Sequence, residues 1–108
     1  MKNWWIDSDN LVTFDGLTNR LSGAYINDAT VSGQVTDKAG AAVGGAVTLN
    51  YVAASDGQYK GTIPKASMAG VTEGNHYIFT IIVTKGTSTS TVKVVLRAGY
   101  KTYTRVMV

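Results

Sequence analysis

The chain predicts an all-β fold of about seven short strands. Three observations predict it. Apolar and polar residues alternate with a period of two along most of the sequence. Clusters of Asp and Gly interrupt these runs at short intervals. No stretch keeps a 3.6-residue apolar period over about three turns, so no long helix is expected.

The strands follow in order. Residues 11–17 carry Val12, Phe14 and Leu17 and form the weakest of them. Residues 29–37 turn Val31 and Val35 one way and Thr30, Ser32, Gln34 and Thr36 the other. Residues 46–52 place Val47, Leu49 and Tyr51 on one face. Residues 58–63 turn Tyr59 and Ile63 inward, with Gly61 between them. Residues 77–84 have Tyr77, Phe79, Ile81 and Val83 on one face and Ile78 and Ile82 on the other, which suits a central or covered strand. Residues 88–97 end in Val92, Val94 and Leu96, and residues 100–108 alternate again, with Tyr103 and Met107 opposite Val106 and Val108.

Turns separate these runs. Asp37-Lys38-Ala39-Gly40 and Ser55-Asp56-Gly57 read as turns, and Lys85-Gly86-Thr87 as a hairpin. Pro64 closes its strand, where a missing N–H costs little. Residues 65–73 have room for one helical turn. This spacing of strands and turns is the pattern of an immunoglobulin-like β-sandwich, with a small barrel as the competitor. The chain has no cysteine, so any likeness to antibody domains is one of architecture only. Residues 1–10 are expected to form an irregular N-terminal arm on a single domain spanning residues 1–108.

Composition narrows the function. A chain of 108 residues fits one domain and buries roughly 65% of its unfolded surface, enough for a core. The absence of cysteine excludes disulfides and thiolate metal sites. The opening MKNWWIDSDN has no apolar h-region, so no signal peptide is expected, and the chain is expected to be made in a cytoplasm and stay soluble. Net charge is +3, too modest to imply nucleic acid. Its distribution is uneven. Asp7, Asp9, Asp15, Asp28 and Asp37 dominate the first third, whereas Lys85, Lys93, Arg97, Lys101 and Arg105 stand without an acid in residues 85–108.

Motifs for chemistry fail one by one. His76 is the only histidine and reads as a surface residue at the start of a strand. Gly40, Gly44 and Gly45 are not followed by the lysine of a phosphate-binding loop, so they read as turn and strand-edge material. Asp7-Ser8-Asp9-Asn10 begins like a calcium loop, but Leu11, Val12 and Thr18 occupy the places where ligands and a glycine belong. There is no nucleophile elbow. No catalytic residue, metal or cofactor is expected, and the chain is expected not to be an enzyme.

The candidate residues are those of a protein interface. Neighbours on a strand point to opposite faces, so Trp4 and Trp5 cannot both enter one core, and one of them is free to meet a partner. Arg97, Lys101 and Arg105 are spaced by four and share a face on an extended strand, with Tyr100 close by. An alternative use of Trp4, Trp5 or Tyr100 is stacking on a sugar, as in a carbohydrate- or ligand-binding module.

The middle of the chain carries a resemblance. It runs through Tyr25-Ile26-Asn27-Asp28-Ala29-Thr30-Val31, Val35-Thr36-Asp37 with Gly40, and Leu49-Asn50-Tyr51-Val52. It continues in Asp56-Gly57-Gln58-Tyr59-Lys60-Gly61-Thr62-Ile63-Pro64 and Glu73-Gly74-Asn75-His76-Tyr77. This pattern is similar to small proteins encoded among the head and tail genes of tailed bacteriophages and prophages. More loosely, it resembles transthyretin-like and collagen-adhesin B-type sandwiches, although the lysine, Asn or Asp, and buried acid of an adhesin isopeptide bond find no place here. The resemblance implies a structural protein of the virion: a head–tail adaptor, head-completion or capsid-decorating subunit. Its implied partners are capsid, portal or tail subunits and copies of itself; no membrane is expected, and the charge makes nucleic acid a disfavoured partner.

Overall fold

The computed structural model describes residues 2–19, 21–68 and 70–100. Seven strands form in chain order. They are β1 (Lys2–Trp5), β2 (Asn10–Phe14), β3 (Thr30–Thr36), β4 (Ala42–Tyr51), β5 (Tyr59–Ile63), β6 (His76–Lys85) and β7 (Ser88–Gly99). A single 3-10 turn, Lys65–Met68, follows Pro64. The all-β class holds, and strands lie where residues 11–17, 29–37, 46–52, 58–63, 77–84 and 88–97 are expected to form them. The N-terminal arm differs from expectation. Residues 2–5 are a regular strand, because β7 offers them a partner from the far end of the chain. Residues 101–108, expected to form the last strand with Tyr100, lie outside the described residues.

The strands make one sheet in the order β1-β7-β6-β3-β4-β5-β2. Every neighbouring pair is antiparallel except β1 with β7, which is parallel. The outermost strands of this order, β1 and β2, are joined by only Ile6, Asp7, Ser8 and Asp9. A linker this short spans at most about 15 Å. It therefore pulls the two edges of the sheet together, and the sheet curls into a nearly closed, barrel-like form.

The core follows from the alternation. Val31 and Val35 of β3, Val47 and Leu49 of β4, Tyr59 and Ile63 of β5, and Tyr77, Phe79, Ile81 and Val83 of β6 all point into the curl and are buried. Trp4, Ile6, Leu96 and Ala98 close it from the β1–β7 side. Trp4 meets Tyr77 edge-to-face, with ring centroids 5.1 Å apart. Among the described residues no charged or polar side chain is buried. Tyr59 carries its hydroxyl into the core. That hydroxyl donates to the Ile26 carbonyl at 2.8 Å and accepts from the Ala29 N–H at 3.1 Å.

Two local devices shape the sheet. The β6–β7 hairpin turns through Gly86-Thr87, and Gly86 supplies the positive φ that a two-residue hairpin loop requires. In β4 the register against β3 shifts between Gly33 and Val35. The glycines at 44 and 45 thus form a bulge within a strand, and Gly44 adopts φ 70° there. The Gln34 side chain donates from Nε2 to the carbonyls of Val43 and Gly44, which the bulge removes from the ladder.

Candidate functional site

The sheet is nearly closed, not fully closed, and the opening has a definite origin. β7 is 12 residues long, but β1 pairs only with Leu96, Arg97, Ala98 and Gly99. Eight residues of β7, 88–95, therefore have a strand on the β6 side and, among the described residues, none on the other. β2 pairs with β5 alone and is the edge that faces them.

A cavity of about 120 Å³ lies between these two edges. Asn10, Leu11, Val12 and Thr13 form one wall, and Val94 and Leu96 the other. Ile63, Phe79 and Ile81 form an apolar floor. Leu11 stands 67% exposed beside it. Trp4 also lines the cavity, and its indole N–H is buried without an acceptor among the described residues. A buried donor left unpaired costs roughly 1–3 kcal/mol.

Asn10 holds the opening at one end. Its Oδ1 accepts from the Trp5 N–H at 2.9 Å, and its Nδ2 donates to the Trp5 carbonyl at 2.9 Å and to the Ser8 carbonyl at 3.0 Å. The side-chain amide thus imitates a backbone pairing between β1 and β2, where no ladder forms. The neighbouring Asp9 accepts from the Lys65 N–H at 2.7 Å and ties this corner to the 3-10 turn. Asp7-Ser8-Asp9-Asn10 is a structural turn. Among the described residues no three His, Cys, Asp or Glu side chains converge on a possible metal position.

The outer face of the hairpin is the second notable surface. Ile78 lies opposite Val95, and Ile82 stands on the same face four residues further along β6. Ile82 is 42% exposed and Val95 45%. Threonines surround them, and Lys93 is the only charged residue in the open stretch of β7. Natural edges are usually guarded by several charges, a proline or a bulge, so this one is lightly defended.

The expected interface residues separate. Trp4 is 1% exposed and lies in the core, not on the outer surface where a partner or a sugar is expected to meet it. Trp5 points the other way and is half-buried, as adjacent positions on a strand must. Arg97 is exposed on the outer face opposite His76, itself an exposed residue at the start of β6. Arg97 and the exposed Tyr100 line one shallow hollow with Asn3 and Glu73. Lys101 and Arg105 lie outside the described residues. One titration departs from the ordinary: the hydrogen bond from Lys85 holds the Asp28 carboxyl below the usual carboxylate range, at a fully exposed ion pair between the start of β3 and the end of β6. Comparison with known families, curated proteins and solved structures finds no match for this chain.

Sequence reasoning missed both the opening and its clasp. Val92 and Val94 looked like ordinary sheet residues, because alternation reports a face and not an edge. The signal for Asn10 was an asparagine at the head of a strand, where Asn is otherwise disfavoured.

Proposed function

We propose that this protein is a non-enzymatic structural subunit that works by binding other proteins through its open sheet edge. The observation that carries this reading is the run of residues 88–95 on β7, which among the described residues has no strand on one side and has an apolar outer face beside it. An extended segment of another protein can add to such an edge by main-chain hydrogen bonds, with alternate side chains entering the cavity for specificity. Val95, Ile82 and Ile78 extend the contact surface with apolar area.

The setting is a phage virion, as a head–tail adaptor, head-completion or capsid-decorating subunit. Support for it is the sequence resemblance over roughly residues 25–85 together with a surface suited to assembly. An immunoglobulin-like sandwich is the finer architecture that goes with that reading, the β2–β5 side of the curl covering the β3–β6–β7 side. Capsid, portal or tail subunits and further copies of this chain are the partners it implies.

The test is induction of the prophage in the source strain, followed by immunoblotting of particles banded in a density gradient. The chain is expected to band with particles at a constant ratio to the major capsid protein. Recovery only in the unassembled fraction would overturn the virion assignment.

A further inference from the structure

The segment between β2 and β3 displays a leucine at the tip of a built turn. Leu21 is 98% exposed. The turn around it is tied by its own hydrogen bonds. Asn19 Oδ1 accepts from the N–H groups of Leu21 at 2.9 Å and Ser22 at 3.1 Å. The Asn19 N–H donates to the Ala24 carbonyl at 2.7 Å, and the Gly23 N–H donates to the Asn19 carbonyl at 2.8 Å. Gly23 takes φ 73°, a left-handed conformation that glycine adopts at little steric cost. Below the tip Thr18 bridges to Tyr25, and the Ile26 N–H donates to the Leu17 carbonyl at 2.8 Å. The base rests against the β4–β5 turn, where the Leu17 N–H donates to the Gly57 carbonyl at 3.1 Å.

A leucine held in water gains nothing from its own chain, and its burial against a partner is favourable. The ordered turn lowers the entropy lost when that happens.

A hollow of about 330 Å³ lies directly beside the tip. Leu17, Ile26 and Val83 give it an apolar floor, Leu21 stands on its rim, and Ser88 and Ser90 line its β7 side. Ser90 lies opposite the buried Val83, and Ser88 opposite Lys85, so both serines are on the inner face of the sheet. Further along β7 the same face carries Val92 and Val94. The smaller serines leave room at this end. A cavity of roughly 150 Å³ holds a group as large as benzene, so the hollow has space for a leucine side chain.

We propose that two copies of this chain associate about a two-fold axis at this end, the Leu21 of each entering the Leu17–Ile26–Val83 hollow of the other. Knob and hollow adjoin on one surface. A single two-fold rotation therefore satisfies both at once, which is the requirement for an isologous contact. Charge favours the same partner. Lys85 stands on the rim of the hollow and pairs with Asp28, and both are exposed. Rotation brings a second such pair to the first, so the Lys85 of each copy can meet the Asp28 of the other. The contact uses side chains of the inner face of β7 and not its hydrogen-bonding edge, so it goes beyond the edge binding proposed above. Its area is small, which places the dimer in the weak class.

The test is sedimentation equilibrium of the full chain from about 10 μM to about 1 mM, the range in which a weak interface forms. The wild type is expected to pass from monomer to dimer. Leu21→Ser removes the knob, and Ser90→Arg covers the hollow. Both positions are exposed, so both variants are expected to keep the wild-type circular dichroism. With two leucines lost per dimer, Leu21→Ser is expected to weaken association at least about a hundredfold. Ser90→Arg is expected to be monomeric as well. An equal mixture of the two is expected to form a heterodimer weaker than the wild type. In it the Leu21 of the Ser90→Arg chain enters the intact hollow of the Leu21→Ser chain. A wild type that is monomeric throughout, a Leu21→Ser chain that dimerises as the wild type does, or a mixture no heavier than its components would each overturn the exchange. These results are read in free solution, whereas the virion role is read in the density gradient. A monomer that bands with particles overturns the exchange alone, and a dimer that bands with none overturns the virion setting alone.

Discussion

Replacing Asn10 by alanine removes the clasp between β1 and β2 and leaves everything else in place. Three hydrogen bonds go with the side chain, two to Trp5 and one to Ser8. A typical intramolecular hydrogen bond contributes about 0.5–1.5 kcal/mol net. The site is only partly buried, so water takes over part of what is lost. The expected cost is therefore about 2 kcal/mol, toward the lower end of the range for three bonds. For a domain of this size that corresponds to a fall in Tm of about 10 °C. Urea unfolding followed by tryptophan emission is the assay, since Trp4 is buried beside the clasp. The midpoint should fall while the slope stays the same, because the surface exposed on unfolding does not change. Amide exchange supplies the location: β1 should exchange faster, and β3 and β6 should not. A loss below about 0.5 kcal/mol, the range of neutral surface changes, would refute the argument that this amide closes the sheet.

Three further outcomes follow from the same structure. A Cβ at Gly33 would sit 2.1 Å from Cζ of Phe79, so Gly33→Ala should cost about 3 kcal/mol in thermal melts, with Phe79→Leu in the same chain recovering part of it. Tyr59→Phe strips the Ile26 carbonyl and the Ala29 N–H of their shared partner and should cost about 1–3 kcal/mol in urea unfolding. The Asp28 carboxyl is lowered from 3.8 first by the hydrogen bond from Lys85. Its contribution is present above the unfolded value and is lost as pH falls through the lower folded value. An NMR titration of Asp28 should move up toward 3.8 in Lys85→Ala, with little change in global stability because the pair is exposed to solvent.

Much of this fold is legible locally. The inward faces of residues 29–37, 58–63 and 77–84 can be assigned from alternation alone, and the buried Val31, Val35, Tyr59, Ile63, Tyr77, Phe79, Ile81 and Val83 agree. The Lys85-Gly86-Thr87 hairpin is equally plain, since a two-residue loop with glycine constrains its own geometry. The N-terminal strand is not legible. Lys-Asn-Trp-Trp does not alternate, and its pairing with Leu96–Gly99 joins opposite ends of the chain. The Gly44-Gly45 bulge reads as a turn in sequence because glycine punctuates both.

The candidate site divides in the same way. Alternation dictates which side chains face the core, because the strand period is two wherever the backbone is extended. It also requires that Trp4 and Trp5 part company. Which of the two enters the core depends on where β1 lies against β7, and that is a tertiary fact. The open edge is also tertiary. Among the described residues it exists because the parallel pairing of β1 covers four residues of a strand of 12 while the short β1–β2 linker holds β2 across the gap. A strand's own residues carry its faces, whereas its edges belong to whatever neighbours the rest of the chain supplies.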